Sequence, residues 1–594
     1  MHYDRWPSLP AMLFEQATAL ADRPFLWAKR DGAYRPMTYG EAGRQVAAIA
    51  RALRAQGVGP GDRVVLVAEN RPEWVIADFA IMAAGAITVP AYVTNSVADH
   101  VHILSNAGAK AAIVSTPALA QRVMAAAAQV PGVAFIAAIE PPTHSQSAVP
   151  VLAWADLLAG GDAMTDDVGA WVAALRRDDV CCIIYTSGTG GLPKGVMLSH
   201  GNLLANAKSA YHLLLTLRVE DEVFLSFLPM SHSYEHTAGT MFPVSIGAQV
   251  YFAEGADTLA ANMIEAKPTI MTAVPRLYEA FYERIRRSVE RMSPRRRRLF
   301  ELAVALGRQK IERPGSLSLW QRLQDKACDL LVRRKMGERF GGRLKAMVSG
   351  GAPLNPEIGM FFLALGLRLL QGYGQTEASP VIAANPPPRI KIETVGPPLE
   401  GVEVRIAEDG EILVRGANVM KGYWQDPEAT ARTVIEGWLH TGDVGRIDAD
   451  GYLVITDRKK DFIKNAGGDM IAPQRLEGLL ALQPEIAQAM VHGDRRPYLV
   501  ALLVPDEQHA KDWAKAEGKP QDLRQILDDE AFRKTIAAAV QRANEGLPAI
   551  ERVRRWAIVP EPFSVANGML TPTLKIRRHR IREVFGQTLE GLYS

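Results

Sequence analysis

Short apolar runs alternate with longer amphipathic stretches along the first part of the chain. Arg63-Val-Val-Leu-Val-Ala68 has the length and composition of a buried strand, whereas Ala42–Gln56 and Glu73–Ala84 are long enough for helices. Thr38 and Glu41 have the spacing of a capping box at the start of the first helix. Because strands that alternate with helices usually form parallel sheets with crossover helices, the pattern predicts an α/β fold.

A second, smaller unit is predicted near the end of the chain. The charged cluster Asp457–Asp461 separates the α/β pattern from a segment of strands and helices in which Leu499–Val504 is the clearest strand. This segment has the size of an ordinary domain. We therefore predict a large N-terminal domain with mostly parallel sheets, residues 1–458, and a small α+β C-terminal domain, residues 459–594.

The composition favours a water-soluble protein with a large core. Of 594 residues, 48% are hydrophobic and 22% are charged, and 68 basic against 65 acidic side chains leave a net charge of +3. This balance argues against a nucleic-acid partner. The basic run Arg295–Arg298 lies in a long, basic, helical stretch, Glu279–Arg343. A solvated helix face is one interpretation of the run, and contact with an anionic membrane or a CoA phosphate is the other.

The cysteines and the apolar runs indicate where the protein works. Cys181, Cys182 and Cys328 form neither a disulfide framework nor a metal-ligand pattern, which suits a reducing cytoplasm. The N-terminus lacks the layout of a signal peptide. Uncharged runs at Phe79–Ala98 and Thr237–Ala253 are interrupted by proline, so we expect buried strands and helices there. We predict a cytoplasmic protein and keep open a peripheral contact with the inner face of the membrane.

A glycine- and hydroxyl-rich loop follows the apolar run Val180–Ile184. Its residues are those of a phosphate-binding turn, because glycines allow close backbone approach, hydroxyls and amides surround phosphate oxygens, and a lysine adds positive charge. The spacing does not fit a Walker loop, a dinucleotide fingerprint or a GxSxG nucleophile elbow. The predicted phosphate-binding residues are Thr186, Ser187, Gly188, Thr189, Gly190, Gly191 and Lys194.

Three further motifs carry polar groups suited to a nucleotide. Gly350-Gly351 and the Tyr373 loop each follow a predicted strand, at the edge where open α/β sheets bind ligands. Asp443 stands in a Thr-Gly-Asp sequence that predicts a turn, where its carboxylate either binds ribose hydroxyls or holds its own turn. Lys575 lies in a basic tail where a lysine is usually a solvated surface charge.

Together these motifs resemble the adenylate-forming enzymes, the superfamily of acyl-CoA synthetases, luciferases and peptide-synthetase adenylation domains. The loop matches the family form TSGTTGxPKG except for Gly190, where the family has Thr. At least five motifs stand in the family's order over essentially the whole chain. The resemblance implies that Gly351, Ala352 and Tyr373 contact adenine, that Thr376 meets the α-phosphate and that Glu377 binds Mg²⁺.

The resemblance also implies a two-step reaction with a rotating small domain. A carboxylate attacks the α-phosphorus of ATP with Lys575 offsetting charge, pyrophosphate leaves, and a thiol such as that of coenzyme A then displaces AMP. By the same resemblance Asp443 and Arg458 bind ribose, and Lys460 is the hinge. Lys464, with the glycines that follow it, faces the site in the second step. The implied enzyme is an ATP- and Mg²⁺-dependent ligase of CoA and a carboxylic acid.

The segment Pro229-Met-Ser-His-Ser-Tyr-Glu-His236 decides between two kinds of enzyme. His232, Glu235 and His236 match the HxxEH motif of zinc hydrolases, but Pro229 and Gly239 predict a poor helix context for such a site. The segment resembles the acyl-pocket motif of long-chain fatty acyl-CoA synthetases, where some relatives carry a gating Trp at the position of His236. We predict a medium- to long-chain fatty acid–CoA ligase. The rival within the superfamily is a fatty acyl-AMP or acyl-carrier-protein ligase.

Overall fold

Two mixed eight-stranded sheets and a five-stranded sheet build the N-terminal part of the chain. The computed structural model describes residues 2–143, 147–186, 192–459, 462–467, 469–571 and 575–594. The predicted α/β class with mostly parallel sheets is confirmed, with a smaller α+β part after it. Ser187–Gly191 of the loop, the hinge Lys460 and Gly468 lie outside the described residues.

The first sheet has six parallel strands between two antiparallel edge strands. Its strands, in spatial order, are Val381–Ala384, Leu369–Gly374, Ala346–Ser349, Ile270–Ala273, Val223–Ser226, Gln249–Phe252, Pro24–Arg30 and Ala33–Thr38. The predicted Gly350-Gly351 turn follows the strand Ala346–Ser349. The sequence predicts Tyr373 in a loop after a strand, but it lies within the adjacent parallel strand Leu369–Gly374, and the loop begins at Gln375. The sheet therefore brings both loops to one edge.

The second sheet is parallel in its larger part and ends in an antiparallel hairpin. Its strands, in spatial order, are Gly422–Tyr423, Lys194–Ser199, Val180–Thr186, Ile87–Pro90, Arg63–Val67, Ala111–Val114, Phe135–Ala138 and Val151–Ala153. The phosphate loop connects the two strands of the hairpin, in which Thr186 is paired with Lys194. The loop is thus held at both ends by buried strands.

Three smaller sheets complete the described chain. The five-stranded antiparallel sheet contains Val402–Ile406, Glu411–Gly416, Trp438–Ile447, Val434–Ile435 and Leu453–Arg458. Beyond it, Ile463–Lys464 pairs with Met470–Ile471, and Ile486–His492, Leu499–Pro505 and Val553–Ile558 form a three-stranded sheet. An ion pair of 2.9 Å between Arg287 and Asp506 joins this last part to the N-terminal part.

Helices cover both large sheets, and several of them begin with a capping side chain. The predicted capping box of Thr38 and Glu41 is present. The helices are Leu9–Ala19, Tyr39–Ala55, Pro72–Ala83, Val97–Ala107, Pro117–Ala127, Trp154–Asp162, Val168–Ala173, His200–Leu214, Phe242–Ser245, Leu259–Ala266, Pro275–Glu290, Pro294–Glu312, Leu319–Cys328, Arg334–Arg339, Pro356–Ala364, Pro427–Thr433, Pro473–Ala481, Glu507–Ala516, Leu523–Ile526, Glu530–Asn544 and Arg578–Gly591. Short 3₁₀ helices are Tyr3–Arg5, Leu215–Leu217 and Thr376–Ala378, and π-helices are Glu235–Met241 and Asp329–Arg333.

The core explains the uncharged runs in the sequence. Buried side chains between the two large sheets include Trp6, Trp74 and Phe79, and the rings of Phe25 and Tyr39 stack at 4.0 Å. Among the described residues, no helix is both long and apolar enough to cross a bilayer. The three cysteines are free and buried.

Candidate active site

Lys194, at the base of the phosphate loop, is linked to the predicted metal-binding carboxylate. Its ammonium group forms an ion pair with Asp426 at 3.1 Å and lies 5.2 Å from the ring centre of Tyr423. The hydroxyl of Tyr423 donates a 2.9 Å hydrogen bond to Oε1 of Glu377. Both partners come from the stretch 422–426, whose first two residues pair with the loop's own strand. Neither Tyr423 nor Asp426 was predicted from the sequence, because each acts through a contact with a distant segment.

Glu377 has the chemistry of a magnesium ligand. It follows the strand Leu369–Gly374 in a single 3₁₀ turn and is partly exposed. Among the described residues, no group of three or more His, Cys, Asp or Glu side chains could hold a metal ion by itself. Mg²⁺ is usually bound by one or two carboxylates together with substrate phosphates and water, so a single carboxylate beside a phosphate loop fits this cofactor.

Tyr373, Asp443 and Arg458 meet although they lie far apart in the sequence. The phenol of Tyr373 donates a 2.6 Å hydrogen bond to Oδ2 of Asp443, and Nε of Arg458 lies 3.2 Å from Oδ1. Asp443 is only 5% exposed. A carboxylate with a donor on each oxygen is held in one orientation, as a ribose-binding group would need to be.

The predicted Thr-Gly-Asp turn is wrong. Asp443 lies within the strand Trp438–Ile447, opposite Arg458, and not in a turn. Gly442 takes the positive φ of +72° that favours a turn, but its amide donates to Glu411 and the strand continues. Gly442 thus has the backbone conformation that the Thr-Gly-Asp sequence predicts. Pairing with a strand on each side nevertheless keeps the segment extended and prevents a turn.

The HxxEH segment is helical from Ser233 onward, contrary to expectation, so the helix includes Glu235 and His236 but not His232. A π-helix, Glu235–Met241, runs into the helix Phe242–Ser245. Just before it, Ser233 and Thr376 are hydrogen-bonded through their hydroxyls at 2.9 Å. This contact joins the segment to the Thr-Glu turn, so the predicted acyl-side and phosphate-side residues are neighbours.

Glu235 is completely buried and ties the helix to two strands of the first sheet. Its carboxylate accepts hydrogen bonds of 2.7 Å from Ser226 and 2.6 Å from Thr272. Burial raises the pKa of Glu235 to about 7, against the opposite effect of these two hydroxyls. A Cβ atom on Gly239 would lie 2.3 Å from the Glu235 carboxyl carbon. Glycine is therefore required one turn later so that the carboxylate fits against the helix.

His236 points to a different neighbour from Glu235. Its Nε2 lies 2.8 Å from Oδ2 of Asp78, both side chains are 0% exposed, and the ring packs edge-on against Trp74. Burial would lower the pKa of His236, but the Asp78 carboxylate raises it to about 10. A zinc site would need His232 and His236 to converge on a metal with a further ligand. Here the Glu235 and His236 side chains are held by separate buried partners, which does not support the hydrolase alternative.

Lys575 reaches this region from the far end of the chain. Its backbone closes a small loop with Thr571 through two hydrogen bonds of 2.9 and 3.0 Å. Burial lowers the pKa of His232 to about 3, and the positive charge of Lys575 contributes to the shift. The charge of Lys575 therefore lies within electrostatic range of His232. Lys464, in the strand Ile463–Lys464, is exposed.

Family models match nearly the whole chain. The model described as AMP-binding enzyme matches residues 13–424, and that described as AMP-binding enzyme C-terminal domain matches residues 460–594. The chain belongs to the AMP-binding enzyme family. The resemblance inferred from the motifs is thereby confirmed. In this AMP-binding enzyme, the gap between the two matches contains Asp443 and Arg458.

Curated relatives match 89–99% of this AMP-binding enzyme. It is 35% identical to the long-chain-fatty-acid–CoA ligase FadD15 of Mycobacterium bovis, over 99% of this chain and 97% of the relative. It is 34% identical to the peroxisomal long chain acyl-CoA synthetase 7 of Arabidopsis thaliana, over 95% and 82%. It is 32% identical to human long-chain-fatty-acid–CoA ligase 6, over 89% and 78%.

Solved structures share the fold at lower sequence identity. The anthranilate CoA ligase AuaEII, solved with anthranoyl-AMP, superposes with a TM-score of 0.74 at 21% identity and covers 98% of this chain and 99% of its own. A didomain of carboxylic acid reductase from Segniliparus rugosus, solved with AMP, gives a TM-score of 0.76 at 22% identity, with 99% and 82% covered. These matches establish the fold and leave the roles of individual residues as predictions.

Proposed function

We propose that this AMP-binding enzyme joins a medium- to long-chain fatty acid to coenzyme A, forming acyl-CoA, AMP and pyrophosphate from ATP. The observation that carries the proposal is the position of Lys575, whose charge acts on His232 although 343 residues separate them. The end of the chain thus comes to the same place as the Ser233–Thr376 contact. The full-length similarity to long-chain-fatty-acid–CoA ligases supports the choice of substrate.

In the first step the fatty acid carboxylate attacks the α-phosphorus of ATP. We assign Asp443 and Arg458 to the ribose, Tyr373 with Gly351 and Ala352 to the adenine, and Lys194 with the preceding loop to the departing phosphates. We assign Thr376 and Lys575 to the stabilisation of the negative charge that grows on the α-phosphate. Acceleration comes from positioning and electrostatic stabilisation, with no covalent bond to the protein.

Mg²⁺ would be held by Glu377 and would neutralise phosphate charge during this step. His232 suits the neighbourhood of a cationic lysine because its low pKa keeps the imidazole neutral at pH 7. A protonated His232 would repel Lys575 and compete with it for the substrate carboxylate. The neutral ring instead leaves Lys575 as the positive charge on this side of the site.

In the second step the thiol of coenzyme A displaces AMP from the acyl-adenylate. We propose that Lys575 then leaves the site and that Lys464 enters it, with rotation about Lys460. The exposed position of Lys464, together with the effect of the Lys575 charge on His232, supports an arrangement for the first step in this structure. The acid substrate partitions into membranes, and we include a cytoplasmic location and a peripheral membrane contact in the proposal.

A panel of carboxylic acids from acetate to oleate, each with ATP and Mg²⁺, tests the proposal. Pyrophosphate release reports the first step, and mass spectrometry of the thioester reports the second, in reactions with and without coenzyme A. We expect both signals to be strongest with medium or long chains. Pyrophosphate release without thioester would replace the proposal with an acyl-AMP or acyl-carrier-protein ligase, and zinc-dependent hydrolysis without ATP would overturn it.

A further inference from the structure

One surface helix exposes an unusual number of large apolar side chains. Among the described residues, thirteen large hydrophobic side chains are exposed, and five of them lie between residues 319 and 331. Leu319 is 79% exposed, Trp320 68%, Leu323 and Leu330 59% each, and Leu331 48%. These five side chains are called the leucine–tryptophan face below. Scattered apolar residues need no explanation, whereas a contiguous exposed group marks an interaction site.

The helix geometry gathers these residues on the side that faces away from the protein. The helix Leu319–Cys328 continues into the π-helical turn Asp329–Arg333. Leu319, Leu323 and Leu330 are spaced by four and seven residues, which places them along one side of a helix. The opposite side buries Cys328. At about 1.5 Å per residue, the leucine–tryptophan face is about 18 Å long.

The surroundings of the leucine–tryptophan face are positively charged. Residues 319–339 contain six basic and three acidic side chains, a net +3 that equals the net charge of the whole chain. The acidic groups are already paired: Asp325 and Asp329 with Arg333, and Glu338 with Arg334. Exposed basic side chains of the stretch include Arg322, Lys326 and Lys335.

The neighbouring helix, Pro294–Glu312, adds further positive charge near one end of the leucine–tryptophan face. Lys310 pairs with Asp325 at 3.1 Å, and Arg333 donates to the carbonyl of Ala303 at 2.8 Å. Residue numbers therefore decrease along the helix Pro294–Glu312 as they increase from Asp325 to Arg333, so the two helical segments are antiparallel. The exposed arginines 295–298 consequently lie toward the Arg334–Arg339 end of the pair.

We propose that the leucine–tryptophan face binds the surface of an anionic lipid bilayer. Leucine and tryptophan on one side of a helix, with lysine and arginine beside them, are the composition of helices that lie in the membrane interface. A second copy of the chain is a poorer occupant, because a two-fold contact through this face would bring its basic residues against their own copies. The proposal adds a membrane-binding surface to the proposed function, but bilayer binding does not depend on catalysis.

Vesicle sedimentation of the full chain tests this surface. We expect binding to phosphatidylcholine vesicles that contain phosphatidylglycerol, weaker binding to phosphatidylcholine alone, and loss of binding at high salt. The triple variant Leu319→Gln, Trp320→Gln, Leu323→Gln should bind at least about tenfold more weakly. A matched control, Ile264→Gln with Val584→Gln, changes side chains that are 53% and 50% exposed elsewhere and should bind like the parent protein.

A local probe separates membrane contact from a general loss of solubility. Leu319→Cys can be labelled with an environment-sensitive dye, because Cys181, Cys182 and Cys328 are buried. The dye emission should shift to the blue on anionic vesicles. Equal binding by the triple variant, or a parent dimer that becomes a monomer in that variant, would overturn the proposal, the latter by making the face a subunit interface. Ligase turnover of a detergent-dispersed acid, measured in parallel, tests the proposed function independently.

Discussion

Replacing Asp78 with Asn tests whether a buried ion pair holds the helix on the acyl side of the site. Asp78 and His236 are 2.8 Å apart and fully buried. Removal of one partner of a buried pair typically costs about 3–5 kcal/mol. The rise of the His236 pKa from 6.5 to about 10 corresponds to about 5 kcal/mol, which is of the same order. We therefore expect Asp78→Asn to lower the free energy of unfolding by several kcal/mol at pH 7.

The pH dependence of this loss has a definite sign. A histidine whose pKa is raised in the folded state contributes its full stabilisation below its unfolded pKa of 6.5, and the contribution disappears as the pH rises through about 10. In Asp78→Asn the carboxylate that raises the pKa of His236 is absent, so burial favours the neutral imidazole. The difference in stability between parent and variant should consequently shrink between pH 6.5 and pH 10.

Urea unfolding of both proteins at several pH values from 6 to 10 provides the measurement. Using the difference between the two proteins cancels the titration of groups that they share. Asp257→Asn, at an exposed loop position, is the matched control and should leave the stability unchanged. A stability difference that stays constant from pH 6.5 to pH 10 would refute the charged pair, and a negligible difference at pH 7 would refute its structural importance.

Three further predictions concern individual groups of the site. Lys575→Ala should slow adenylate formation by at least about a hundredfold while most of the thioester formation from supplied acyl-adenylate remains, measured in separate half-reaction assays. Gly239→Ala should cost about 1–3 kcal/mol in urea unfolding, because its Cβ would collide with the Glu235 carboxyl group. Tyr373→Phe removes a hydrogen bond to the Asp443 carboxylate and should weaken ATP binding about tenfold by calorimetry, or about 1.4 kcal/mol. Equal losses in both half-reactions would contradict the prediction for Lys575→Ala. Unchanged stability of Gly239→Ala, or unchanged ATP affinity of Tyr373→Phe, would contradict the other two.

The sequence predicted the elements whose signals are local. Alternating apolar runs and the capping box at Thr38 depend on neighbouring residues, and the structure confirms both. The helical insertion between residues 279 and 343 is confirmed for the same reason. The phosphate loop could be recognised because its glycines, hydroxyls and lysine all lie within the short stretch 186–194.

The errors and omissions come from contacts between distant parts of the chain. Gly239 suggested a poor helix context, but the helix needs glycine there because a buried carboxylate lies against it. Asp443 suggested a turn, whereas two neighbouring strands pair with its segment. The Asp78–His236 pair spans 158 positions, and each residue alone resembles an ordinary helix residue. Only the fold reveals these partners.

The two ends of the proposed nucleotide site differ in how firmly their groups are held. On the ribose side, Asp443 is buried and both of its oxygens have donors. On the phosphate side, Lys194 and Asp426 form an ion pair that is substantially exposed on both sides, and such pairs exchange partners at little cost. We therefore expect an incoming phosphate to draw Lys194 away from Asp426, whereas ribose would meet a carboxylate already in place. Accordingly, we expect the adenosine end to dock on a rigid surface and the phosphate end to be completed by the substrate.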